Sequence, residues 1–214
     1  MNVSRFTFNM FGVNTYILWD DISKEAAIID PGMINDAERK SIDEFIELKG
    51  LHLKCLINTH MHIDHSFGVA YIKDKYGLNL MGNIDDQFLA ERLKQQANMF
   101  GLSISIADLV IEVDLKDGDK LKIGDEDIII KQVPGHSPGG IVIYAIDSNF
   151  IISGDVLFQH SIGRTDLPGG NFPQLINAIN NKLMTLPDDT IVYPGHGFET
   201  TINEEKKHNP YIKI

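Results

Sequence analysis

The chain has 214 residues, 43% hydrophobic and 23% charged, a composition ordinary for a soluble globular protein of one domain spanning 1–214, or of two fused halves. A single cysteine excludes a disulfide framework and any cysteine-based zinc cluster. A net charge of -11 argues against a nucleic-acid or anionic-membrane surface.

The runs 13–19 and 26–30 read as strands joined by the polar turn 20–24, and Asp30-Pro31-Gly32 then breaks the sheet. Asn35 or Asp36 is placed to cap a helix carrying Ile42, Phe45, Ile46 and Leu48 at helical spacing, closed by Gly50. An apolar strand at 54–58 runs straight into Thr59-His60-Met61-His62-Ile63-Asp64-His65. A helix over 65–76, a strand at 78–82 and a helix over 84–100 are expected next, then strands at 109–113, 127–133, 141–146 and 149–153. A helix over 172–185 carries the stripe Phe172, Leu175, Ile176, Ile179 and Leu183; a strand at 190–193 and a charged helix at 199–207 end the pattern. Helices flank a strand-rich middle, and the two halves meet near 118–126. The pattern predicts an α/β protein with two sheets covered by helices.

Three histidines and an aspartate within 60–65 are the most informative feature of the sequence. They follow an apolar strand, where a rigid sheet can aim side chains from a loop. His60 and His62, two apart, project from one side of an extended segment and can hold one ion; Asp64 and His65 can face a second. Three other segments share this pattern of strand, glycine and polar residue: Pro134-Gly135-His136, Gly154-Asp155 and Pro194-Gly195-His196-Gly197. A lone strand-end histidine is usually structural. Four strand ends with the same pattern would instead gather His60, His62, His65, His136, His196, Asp64 and Asp155 on one sheet edge. Imidazole and carboxylate ligands suit zinc, iron or manganese.

On these motifs, together with Ser137-Pro138-Gly139 and Gly163-Arg164-Thr165-Asp166, the chain resembles a metallo-β-lactamase-fold hydrolase over nearly its whole length. It is most similar to the glyoxalase II (hydroxyacylglutathione hydrolase) branch. The resemblance implies a four-layer αββα sandwich of two mixed sheets, with a two-metal site at its upper edge. It implies that His60, His62 and His136 hold one divalent transition-metal ion, that Asp64, His65 and His196 hold the other, and that Asp155 bridges them. Zinc is the expected metal, with iron or manganese as alternatives. A hydroxide shared by ions roughly 3.5–4 Å apart would attack a small thioester or ester, S-lactoylglutathione or a related acyl-thioester. Asp64 and Asp155 are then catalytic as well as ligating, and Ser137, Ser153 and Cys55 are not needed as nucleophiles. A mono-iron persulfide dioxygenase on the same fold, which shares the histidine motif and the Gly-Arg-Thr-Asp loop, is the alternative.

Around this centre, Asp30 either orients a ligand histidine or makes a local turn bond, and Thr59 either does the same or ends a strand. Arg164 either binds a substrate carboxylate through its planar fork or bridges to Asp166 within its loop. Phe158, with Gln159 and His160, is a candidate pocket wall. Residues 99–102 are a candidate apolar rim or simply core. Asp85, Asp86 and the acidic run 114–127 read as a solvated face, and His52 and His208 as surface. Eighteen residues follow His196, with Lys206 and Lys207 the only cations before Lys213, which leaves the thiol of the substrate open. The expected partner is a small-molecule thioester, with no nucleic acid and no membrane, in a cytoplasmic setting; no secretion signal is evident and no apolar run approaches the roughly 20 residues of a membrane span.

Overall fold

The computed structural model describes residues 1–104 and 106–212. The first six strands are β1 (Asn2–Phe8), β2 (Val13–Trp19), β3 (Glu25–Ile29), β4 (His52–Ile57), β5 (Leu80–Gly82) and β6 (Val113–Asp114), and they form one sheet in that order. β1, β2 and β3 pair antiparallel, whereas β3 to β6 run parallel. Between them lie the helices α1 (Asp36–Lys49), α2 (Val69–Tyr76), α3 (Gln87–Ala90) and α4 (Leu93–Met99).

The second sheet uses β7 (Lys120–Ile123), β8 (Glu126–Gln132), β9 (Ile141–Ala145), β10 (Phe150–Gly154), then β13 (Ile191–Pro194) and β14 (Thr200–Thr201), in the order β14-β13-β10-β9-β8-β7. The pair β11 (Leu157–Phe158) and β12 (Ser161–Ile162) forms a small separate hairpin, and α5 (Phe172–Lys182) and α6 (Ile202–His208) complete the order. Only β10 and β13 pair parallel in this sheet.

Strand periodicity explains the layering. On β2, Ile17 and Trp19 pack toward α1 and α2, while Tyr16 and Leu18 face the second sheet. On β9, Ile141, Ile143 and Ala145 face the first sheet, while Val142 and Tyr144 pack toward α5. Both strands are therefore buried on two faces and read as continuous apolar runs. Three cores result: helix on sheet, sheet on sheet, sheet on helix. Each fully buried Ile or Leu contributes about 1.5–3 kcal/mol. This is the αββα sandwich that the sequence resemblance implies.

Local signals place α1 well: Asn35 accepts from the Glu38 N–H, and Gly50 closes the helix with φ of 64°. Elsewhere the structure differs from expectation. Residues 2–8, unassigned from sequence, form the edge strand β1, half-buried with interleaved polar residues. The helix expected over 65–76 starts only at Val69, because Ile63–His65 winds as a single 3-10 turn. The helix expected over 84–100 is two short helices broken at residues 91–92. The strand expected at 109–113 is reduced to Val113–Asp114, and β7, unassigned from sequence, forms a hairpin with β8. Among the described residues, no helix is long and apolar enough to cross a membrane.

The loops that follow β4, β8, β10 and β13 emerge on one edge of the sandwich. Backbone bonds tie them across the two sheets, the Ile141 N–H donating to Thr59 O at 2.9 Å and the Asn14 N–H to Gly195 O at 2.7 Å, and within the second sheet, where the Gly195 N–H donates to Gly154 O at 2.8 Å.

Candidate metal centre

His60 Nε2, His62 Nδ1 and His136 Nε2 converge from two loops, with His136 Nε2 at 3.3 Å from the His60 nitrogen and 2.9 Å from that of His62. Asp64, His65 and His196 form a second trio: His65 Nε2 lies 3.3 Å from His196 Nε2, and Asp64 Oδ2 lies 3.1 Å from His196 Nε2 and 3.6 Å from His65 Nε2. The Asp155 carboxylate stands between the trios, with Oδ1 at 3.3 Å from His65 Nε2 and Oδ2 at 3.7 Å from His136 Nε2. The structure thus brings together all seven residues singled out from the strand ends. Glycine makes the approach possible: a Cβ on Gly195 would strike Asp155 Oδ1, and one on Gly154, where φ is 51°, would strike Thr59 Oγ1.

The far side of each ring fixes which nitrogen carries the lone pair. His65 Nδ1–H donates to Asp30 Oδ2 at 3.0 Å, His136 Nδ1–H to Arg164 O at 2.7 Å, and His196 Nδ1–H to Phe11 O at 3.1 Å. His60 Nδ1–H faces Thr59 Oγ1 at 3.1 Å, since the Thr59 hydroxyl proton goes to Asp30. In each of these four rings Nε2 is therefore the nitrogen that faces inward. Five nitrogens and two carboxylates facing one another cannot share protons among all pairs, and Asp155 Oδ1 is buried without a hydrogen-bond donor. Their spacings match the edge of a tetrahedron of ligands about 2.0–2.1 Å from a central ion, roughly 3.3 Å. The clusters fit a dinuclear metal site.

Electrostatics agree. Burial, then the neighbouring imidazoles, holds His60 well below the ordinary histidine value; burial and His136 bring His62 down to about 3. Both are therefore neutral donors at pH 7. Burial pulls His65 down, but Asp64, Asp155 and Asp30 outweigh it and raise it well above the ordinary value. Burial would raise Asp155 and Asp64, and the charge of His65 reverses both shifts. Three carboxylates around one imidazole make this half of the centre a site that demands a cation.

The Metallo-beta-lactamase superfamily pattern matches residues 9–196. The chain belongs to this superfamily. It is 41% identical over 213 residues to a protein named Hydroxyacylglutathione hydrolase GloC of Haemophilus influenzae, covering 99% of this chain and 98% of that one. Among solved structures it is similar to the BLEG-1 B3 metallo-beta-lactamase, with a TM-score of 0.89 and 32% identity over 100% of both chains. It is also similar to TTHA1623 in a di-iron-bound form, with a TM-score of 0.86 and 30% identity over 98% of this chain and 100% of that one.

Behind the candidate ligands of this superfamily member lies a tight outer layer. Asp30, at φ of 50°, accepts from Thr59 N–H and Thr59 Oγ1, each at 2.7 Å, as well as from His65. It therefore orients a candidate ligand rather than capping a local turn. Asp86 corrects the sequence reading: it is buried, not part of a solvated face. Its carboxylate accepts from Met61 N–H at 3.1 Å, Ser137 Oγ at 2.8 Å and Gly139 N–H at 2.7 Å, clamping the 60–65 loop to the His136 loop. Burial raises its pKa. Asp85 does remain exposed, as do Asp117, Asp119 and Asp125. Asn58 and Gln96 were also not evident from sequence. Asn58 Nδ2 donates to His65 O at 3.0 Å, and Gln96 Oε1 accepts from Ile63 N–H at 3.0 Å.

A cavity of about 380 Å³ opens onto His62, Asp64, His136, Asp155 and His196, walled opposite by Phe11, Leu89, Met99, Phe100, Leu167 and Pro168. The rim expected from residues 99–102 is thus present through Met99 and Phe100, while Leu102 packs against the helix-side core. Arg164 reaches this cavity, but its Nε and Nη2 donate to Asp166 Oδ1 and Oδ2, each at 2.7 Å. Phe158 and Gln159 lie elsewhere, in a second cleft on the other side of His196; the Phe158 and His196 ring centroids are 6.4 Å apart. His160 is exposed and faces Glu204 at 2.8 Å, and His52 and His208 are surface residues as expected. Cys55 is buried in the sheet-on-sheet core, where burial pushes its thiol up.

Proposed function

We propose that the protein hydrolyses small acyl-thioesters, with S-lactoylglutathione as the reference substrate, using two divalent ions held by His60, His62 and His136, by Asp64, His65 and His196, and by Asp155 between them. Zinc is the first choice of metal. The observation that carries the reading is the convergence of these seven side chains, five of which (His62, Asp64, His136, Asp155 and His196) face a substrate-sized cavity. The name of the Haemophilus influenzae relative supports the thioester class.

Bound ions would supply Lewis-acid polarisation of a carbonyl and activation of water near neutral pH. The chain's own part is to hold the donor atoms ready. Asp30 and the carbonyls of Arg164 and Phe11 accept from the Nδ1–H groups and so turn the Nε2 atoms of His65, His136 and His196 toward the centre. Ser137, Ser153 and Cys55 are not free to act as nucleophile instead. Ser137 Oγ donates to Asp86, Ser153 Oγ donates to Leu157 O at 2.8 Å, and Cys55 is buried away from the cavity. Arg164 and its loop close the edge of the cavity beside His136, whose Nδ1 rests on the Arg164 carbonyl.

Elemental analysis with a thioester assay tests this. Two transition-metal ions per chain are expected, with hydrolysis of S-lactoylglutathione abolished by chelation and restored by zinc. A likeness to ETHE1 from Myxococcus xanthus, with a TM-score of 0.75 and 26% identity over 98% of this chain and 84% of that one, keeps the dioxygenase in view. One iron per chain with oxygen uptake on glutathione persulfide, and no thioester cleavage, would replace the hydrolase with that second reading.

A further inference from the structure

Opposite the candidate ligands, the cavity wall is carbon. Phe11, Leu89, Met99, Phe100, Leu167 and Pro168 supply it. The one cation in its lining, Arg164, has its guanidinium fork occupied by Asp166. Arg92 lines a separate small pocket of about 60 Å³. Gln96 is the one uncharged polar side chain in the lining outside the histidines, and it is fully committed: Oε1 accepts from Ile63, and Nε2 donates to Met61 O at 3.2 Å and Leu89 O at 3.0 Å. A hydroxyl or carboxylate lying against this wall would give up water for no partner.

The wall is built into the fold. Phe100 meets Phe11 edge-on at 5.4 Å, and Phe11 stacks on Phe67 at 6.4 Å. Phe11 serves twice, since its carbonyl also holds His196 while its ring lines the cavity. Met99 and Phe100 remain 62% and 44% exposed at the mouth, an apolar surface contiguous with the candidate centre.

We propose that this wall selects thioesters carrying an apolar substituent, an aryl ring or a short branched alkyl chain, over those carrying a polar hydroxyacyl group. The inference rests on the thioesterase reading above. The substituent can sit on the acyl carbon or on the thiol, so the test has two arms.

In the first arm, the zinc-loaded protein is given glutathione thioesters of lactate, isovalerate and phenylacetate. In the second, acetyl thioesters of glutathione and of benzyl mercaptan are compared. Each kcat/KM is divided by the rate of uncatalysed alkaline hydrolysis, which removes intrinsic reactivity. The apolar member is expected to lead by about tenfold or more in at least one arm. Met99→Gln and Phe100→Gln, at the two exposed positions of the wall, are expected to cut that lead about threefold or more, with metal content as in the parent. Equal values in both arms, or a lead undiminished in both variants, would overturn the selectivity while leaving thioester hydrolysis standing. Hydrolysis of no thioester, S-lactoylglutathione included, would remove the catalytic reading and this inference with it.

Discussion

His60, His65, His136 and His196 each rest on an oxygen behind the ring, and Asp30 and Asp86 in turn collect three donors apiece. Across the same cavity, Met99 and Phe100 are held by packing alone and stand well exposed. One side is fixed before any ion arrives, so little ordering remains to oppose binding. The other is an apolar rim on short helices, where side chains can change without disturbing the ligand loops. The contrast teaches where chemistry and selectivity are separated in this molecule, and substitutions on either side can break it.

The largest effect is expected at Asp155, the one carboxylate shared by both trios. Asp155→Ala should lower kcat/KM by well over a hundredfold, beyond the 10–100-fold span of outer-layer changes. It should also reduce the metal content of the purified protein. A variant that keeps both ions and full thioester turnover would remove Asp155 from the centre. Next come the two outer carboxylates, which should separate the halves of the site. Asp30→Asn disturbs the support of His65 directly and that of His60 only through the Thr59 hydroxyl, so the ion on the Asp64 side should weaken more, about 10–100-fold; Asp86→Asn disturbs the loops of His60, His62 and His136 and should weaken the other ion by a similar factor. Metal titrations read by competition with a chelator distinguish them. Identical losses at both ions in both variants would show that the halves do not act independently.

The contrast also marks what could be read in the sequence. The candidate ligands were legible because each sits just past an apolar strand, with glycine beside it where backbones crowd. Arg164 was legible as a choice, and the bidentate Arg164–Asp166 pair settles its side chain in the observed structure. Asp86 was not legible. An acidic pair ahead of an amphipathic run looks like a solvated helix start, and its three donors come from 25, 51 and 53 residues away. Gln96 misled in the same way: inside an apparent helix over 84–100, it turns inward to hold the Ile63 loop, and the helix is broken at 91–92. β1 escaped notice because an edge strand buries only part of each face, so Arg5 and Ser4 blur its alternation. Local pattern reports strand ends and stripes, whereas the outer layer is defined by tertiary partners that no window contains.

The smallest effect is expected at Arg164, where the two sides of the cavity meet. Its side chain belongs to the exposed rim and is tied to Asp166, whose carboxyl it lowers to about 2; its backbone carbonyl supports His136. Arg164→Ala deletes the first role and keeps the second. Metal content should therefore match the parent, and kcat/KM for S-lactoylglutathione should fall by no more than about threefold, as for other exposed ion pairs. A loss of tenfold or more confined to KM, and absent for a thioester without carboxylates, would mean that the fork leaves Asp166 to grip the substrate. The rim would then contribute a charge to recognition as well as an apolar surface, and the division between the two sides would run through a single residue.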